Sequence, residues 1–245
     1  MNIAVGPDNV LFDAHIKLIC DCSPFFDNLL KHRFTEPQAK IIPFPDGDPD
    51  IFMEFLNWAY RRQIFEGKLS PKWIELCGLW VLADKLGVRE LQNLVITQCG
   101  NRYTRCHDFV DKETVGYVYD HTLADSPLRR MVVDTWVLKS KPEVLVAVKG
   151  EMRVEFWEDC CLALMKNNAI SGERRTLQSI ADFEKFYSVA ESQRNSCGEQ
   201  SHVLDDIPRP ATQEQMDNRK LRSPRSRLSR ASSENRNSSG SPFST

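Results

Sequence analysis

The sequence has no apolar run approaching the roughly 18 residues that a membrane span needs, and its first residues do not follow the charged-then-apolar pattern of a secretion signal. It also lacks a glycine-rich phosphate loop, a G-x-S-x-G nucleophile turn and a His-Glu-x-x-His zinc helix. These absences leave an enzyme reading without a specific motif, and no cofactor is expected. The chain is read as a cytoplasmic or nuclear protein. Net charge is small, −2, but unevenly spread: from Arg209 onward eight Lys/Arg face three Asp/Glu, giving +5, so the preceding part carries −7. An acidic body is a poor partner for phosphate backbones, so nucleic acid is not the expected ligand of the folded part.

Hydrophobic residues make up 41% of the 245, enough for one core with a tail or for two small cores. The eight cysteines fall at 20, 22, 77, 99, 106, 160, 161 and 197, mostly inside apolar helical patterns, and are read as reduced, mostly buried thiols. Cys20 and Cys22 lie two apart on a helix and point about 200° away from each other. Cys99, Cys106 and His107 lack a fourth ligand at zinc spacing, so no metal is expected. Cys160 and Cys161 share a stripe with Trp157 and Leu164, which favours core packing. His15 is read as structural, with a ring nitrogen on a nearby backbone group.

"MNIAVGPDNVLFDAH" alternates apolar and polar residues around Gly6-Pro7-Asp8-Asn9, the pattern of a hairpin. Four later segments open with a small polar residue and a proline: Ser23-Pro24, Asp48-Pro49, Ser70-Pro71 and Ser126-Pro127. Each pair suits an N-cap followed by N1. Apolar stripes of helical spacing follow, and Gly87 stands where a C′ glycine would end one of them. "KIIPFP" is β-branched and interrupted by proline, which fits an edge strand. The order strand, strand, helix, helix, strand, helix, helix, helix predicts an α+β domain, a small mixed sheet capped by helices. Helical stripes then recur around 115–122, 128–138, 154–165 and 177–189. The expected organisation is an α+β domain over 1–105, an all-helical extension over 106–192, and a disordered, basic Ser/Arg-rich tail over 193–245.

Three blocks, "VLFDAHIKLICDCSPFFDNLL", "RFTEPQAKIIPFPDGDPDIFMEFLNWAYRRQI" and "LWVLADKLGVRELQNLVI", resemble the BTB/POZ domain in content and order. The resemblance rests on Ala14-His15, Ser23-Pro24-Phe25-Phe26, Phe34-x-Glu36, Asp48-Pro49-x-x-Phe52 through Trp58-x-Tyr60, and Ala83-Asp84-Lys85-Leu86. "TVGYVYDHTLADSPLRRMVVDTW" is similar to the helical extension of many fungal members of that family.

The resemblance implies a protein-protein interaction module and not an enzyme. Members form homo- or hetero-oligomers through their first helices, and many carry substrates to cullin-type ubiquitin ligases. In those adaptors an apolar residue, any residue and a glutamate dock on the cullin; here they fall on Phe34, Thr35 and Glu36. An exposed aromatic would supply the desolvated anchor and a carboxylate the orientation. The bland alternative has Phe34 folded back onto Leu30 and Glu36 simply solvated. The sequence opens on the first strand, so the N-terminal helix and exchanged strand of the transcription-factor branch are expected to be absent, which would weaken homodimerisation. Ile16 stands where that branch has a basic residue, so a corepressor groove of that kind is not expected. An alternative function is an assembly scaffold or nuclear regulator without a ligase role, using the basic tail on nucleic acid or an import receptor. Ser232 and Ser233 follow Arg230 closely, and Ser223 and Ser241 precede prolines; all four are candidate phosphorylation sites.

Overall fold

A computed structural model describes residues 1–33, 41–106, 108–140, 142–148, 150–169 and 177–190. The expected docking pair Phe34 and Glu36, the tail serines Ser223, Ser232, Ser233 and Ser241, and His107 lie outside them.

The chain opens with strands β1 (Asn2–Val5) and β2 (Val10–Asp13), paired antiparallel with Val5 opposite Val10. The turn between them places both Gly6 (φ 76°) and Asn9 (φ 53°) in the left-handed region, which glycine and asparagine tolerate. Strand β3 (Ile41–Phe44) pairs parallel to β1, with Ile3 opposite Ile42, so the sheet order is β2-β1-β3. β1 is the central strand and buries Ile3, Ala4 and Val5 in succession, as a strand covered on both faces does. Pro43 is tolerated because β3 lies at the edge.

Helices α1 (Ile16–Cys22) and α2 (Pro24–Arg33) are separated only by buried Ser23, whose hydroxyl donates to the Leu86 carbonyl at 2.8 Å. Helix α3 (Pro49–Arg61) starts as expected: Asp48 Oδ1 accepts from the N–H groups of Asp50 and Ile51. Its stripe of Phe52, Phe55 and Trp58 joins Phe12 and Phe26 in an aromatic core, with the Phe12–Phe52 centroids 5.1 Å apart and Phe52–Phe55 5.6 Å apart. Separations of this size are those that tilted aromatic pairs prefer.

The start of α4 (Trp73–Lys85) differs from the expectation at Ser70-Pro71. The helix begins two residues later, where Glu75 accepts from the Lys72 N–H at 2.8 Å, while Ser70 Oγ is taken by Arg102 at 2.9 Å. α4 ends in a Schellman motif. Val88 N–H reaches Ala83 O at 2.8 Å, Gly87 N–H reaches Asp84 O at 3.0 Å, and Gly87 sits at φ 71°. Helix α5 (Arg89–Cys106) follows at once.

Helices α6 (Lys112–His121) and α7 (Pro127–Lys139) are N-capped by Asp111 and Ser126. Next come α8 (Pro142–Val148), α9 (Val154–Ala169) and α10 (Ile180–Tyr187). α8 is not expected from the sequence. Trp136 centres this region; its indole N–H donates to Val110 O at 2.8 Å and its ring meets Phe109 and Phe156. α10 packs on α5 and on α7: Phe183 meets the Tyr103 ring at 5.2 Å, and Tyr187 donates to buried Asp134 at 2.7 Å. No helix among the described residues is long and apolar enough to cross a membrane.

Candidate functional site

Strand β2 departs from strict alternation. Only Phe12 is buried, while Val10, Leu11 and Asp13 face solvent, and Ile16 at the start of α1 is exposed beside them in sequence. Leu11, 59% exposed, is the most open of the three apolar residues. The base of this strip is fixed by two contacts. The Met1 ammonium donates to Asp13 Oδ1 and to the Ala14 carbonyl, each at 3.0 Å, and this hydrogen bond and charge hold the Asp13 carboxyl below its usual range. The Tyr60 hydroxyl lies 3.0 Å from the His15 amide and 2.7 Å from its Nδ1. His15 is therefore structural, but its ring partner is a side chain from α3 and not the backbone group expected.

At the same C-terminal end of α3, Arg62 closes the helix in the left-handed conformation and lays its guanidinium 4.4 Å from the centre of the Trp58 ring. It also pairs with Glu90 at 3.4 Å and approaches Cys22 Sγ at 3.8 Å. Cys22 is half-buried, and burial raises its thiol, with Arg62 acting against that rise.

A cleft of about 480 Å³ runs along α3, α4 and α6. Asp48, Asp50 and Glu54 line it together with Met53 and Ile74, both exposed. Tyr117 forms part of the wall, its ring stacked 4.2 Å from that of His121. Burial raises the Tyr117 phenol. Lys68 and Lys85 line it as well, so the wall of the cleft mixes acidic, basic and apolar groups.

The segment expected to dock a partner leaves α2 after Arg33 and rejoins the described structure at Ile41. Buried Leu29, Leu30 and Ile42 anchor its two ends. Residues 2–101 match the family model of the BTB/POZ domain. The chain carries a BTB/POZ domain. No match is found among curated proteins.

The BTB/POZ domain is a protein-protein interaction module of a generally non-catalytic family. Its small mixed sheet and helices β1 to α5 are the architecture expected from the sequence, and the match ends inside α5. Among the described residues no group of three or more His, Cys, Asp or Glu is placed to hold a metal ion. Cys99 is fully buried and its thiol is raised by desolvation, whereas Cys106 is exposed and touches Ser70 Oγ at 3.1 Å. The thiols are expected to be mostly buried, and Cys106 is an exception. Core packing is the expectation for the stripe of Trp157, Cys160, Cys161 and Leu164, and it fails for Cys161 and Leu164: Cys160 points into the core, while those two face solvent. The sequence does not foretell the His15–Tyr60 contact, which joins residues 45 positions apart, whereas Arg62–Trp58 is an i, i+4 pair that helical spacing signals.

Proposed function

We propose that this chain is a BTB/POZ adaptor that self-associates and brings a substrate protein to a cullin-type ubiquitin ligase in the cytoplasm or nucleus. Phe34 and Glu36 are its docking pair. The BTB/POZ match over residues 2–101 carries the reading. Two further observations support it. The strip of Val10, Leu11 and Ile16 leaves apolar surface open on the first elements of the domain, and such surface marks contact sites. Phe34 and Glu36 fall in the segment between α2 and β3, the place where similar adaptors carry their motif. In this reading 1–105 is the pairing and docking domain, 106–192 a helical extension available to recognise substrate, and 193–245 a tail open to phosphorylation.

The test is capture of the full chain on a purified cullin N-terminal scaffold. Wild type is expected to bind, and Phe34→Ala or Glu36→Lys to lower binding at least tenfold with an unchanged melting temperature. Equal binding by both variants sinks the docking pair. Absence of binding by wild type, with self-association intact in light scattering, replaces the adaptor by an assembly scaffold.

A further inference from the structure

Helix α9 has two apolar faces. Its inner face is accounted for: Phe156 and Cys160 are buried, Phe156 meets the rings of Trp136 and Tyr119, and Asp159 accepts from the Tyr119 hydroxyl at 2.6 Å. The outer face repeats at helical spacing through Val154, Glu158, Cys161 and Met165, with Leu162 beside it. Val154 is 68% exposed, Met165 67% and Leu162 52%, and Cys161 is exposed too. A helix that needed only one buried face would carry polar residues here.

The charges on this face say what covers it. Glu155 and Glu158 lie in its N-terminal half and Lys166 at its C-terminal end, all exposed. A second copy running parallel would stack glutamate on glutamate and lysine on lysine. A second copy running antiparallel sets the Glu155 of each copy near the Lys166 of the other.

We propose that α9 is a second self-association surface, on which two copies of the chain pair antiparallel about a two-fold axis. Val154 of one copy then packs on Met165 of the other, the Leu162 side chains flank the seam, and Glu155 faces Lys166 across it, while the two Glu158 residues lie three positions out of step near the axis. Such an interface is isologous, so it closes on itself at two copies. It lies outside residues 2–101 and is independent of pairing through the BTB/POZ domain. In the register that places Val154 opposite Met165, the two Cys161 residues are three positions out of step. At about 1.5 Å rise per residue and roughly 9 Å between axes, their α-carbons stand on the order of 10 Å apart, within reach of a short bismaleimide.

The experiment treats the full chain with bismaleimidoethane at tens of micromolar and maps the linked peptides. A Cys161–Cys161 dimer is expected in wild type. It is expected to disappear in Cys161→Ser and to fall at least tenfold in Leu162→Glu/Met165→Glu, which keeps Cys161 and changes only exposed positions, with folding checked by circular dichroism. Lys166→Glu is expected to weaken the crosslink, and adding Glu155→Lys to restore it. Leu11→Glu/Ile16→Glu, which addresses pairing through the BTB/POZ domain, is expected to leave it unchanged. No Cys161–Cys161 product in wild type overturns the proposal. So does a product that survives Leu162→Glu/Met165→Glu, or one that is lost with Leu11→Glu/Ile16→Glu.

Discussion

Gly100 of α5 lies against the ring of Phe183 of α10 so closely that a β-carbon on it would stand 3.1 Å from Phe183 Cγ. A glycine in the middle of a helix costs about 1 kcal/mol relative to alanine. Here that cost is met by the approach of α10, which brings Phe183 onto Tyr103 and Tyr187 onto Asp134.

Replacing Gly100 by valine is therefore expected to push α10 off its seat. Overpacking of this kind costs about 1–3 kcal/mol. Hydrogen exchange should show amides of 180–187 losing protection while those of β1 and α4 keep theirs. Gly100→Ala is expected to be close to neutral, because its gain in helix propensity opposes a clash of a few tenths of an ångström. A Gly100→Val protein with wild-type protection in α10 would show that Phe183 does not need the space.

Neighbouring thiols on α9 should differ sharply in reactivity. Burial pushes the Cys160 thiol up to about 12, with Cys161, Asp159 and Asp134 adding to the rise, whereas Cys161 is exposed. Since the thiolate is the nucleophile, Cys160 should alkylate on the order of a hundred to a thousand times more slowly than Cys161 at pH 8 in the native protein. Mass spectrometry after brief iodoacetamide treatment checks this. Comparable labelling of the two would mean that the inner face of α9 is not closed.

Much of the BTB/POZ half is legible because its signals are local. The hairpin turn, the Asp48 cap and the Gly87 stop each need only a few adjacent residues. Ser70-Pro71 misleads because the same local signal can be diverted: Ser70 serves Arg102, 32 positions away, and the helix takes its cap from Glu75 instead. α8 is hidden because "EVLVAV" is rich in β-branched valine and too short to show a helical period. Cys161 and Leu164 read as core because apolar residues surround α9 on nearly every side, and period alone does not tell which face is inward. The docking pair itself, Phe34 and Glu36, is legible only through resemblance, since three residues in a loop carry little information of their own.

The N-terminus of α10 should make its seating sensitive to acid. Asp182 accepts from the Ser179 N–H at 2.9 Å, the Gln178 N–H at 3.0 Å and the Ser179 hydroxyl, and these bonds hold its carboxyl below the ordinary 3.8. A folded-state value below the unfolded one means that the stabilisation is fully present above the unfolded value and is lost as pH falls through the folded one. Asp182→Asn should therefore lower the melting temperature at pH 7 and make progressively less difference as pH falls below 4. A difference that stays constant from pH 7 to pH 3 would remove Asp182 from this role.

Arg129 offers a separate test of how the α6–α7 connection is held. Its Nε donates to Thr122 Oγ1 at 3.0 Å, its Nη2 donates to Tyr119 O at 2.9 Å and to Thr122 O, and its guanidinium lies 4.4 Å from the centre of the Tyr119 ring. The connection needs such a clamp because it passes through Asp125 in the left-handed conformation at φ 64°. Lysine keeps the charge but offers one point where the guanidinium offers a planar fork. Arg129→Lys should thus cost about 1–3 kcal/mol, the scale of losing hydrogen bonds to a charged group, and should approach the loss in Arg129→Met. If charge alone mattered, lysine would rescue what methionine loses, so equal denaturation midpoints for Arg129→Lys and wild type would refute the fork.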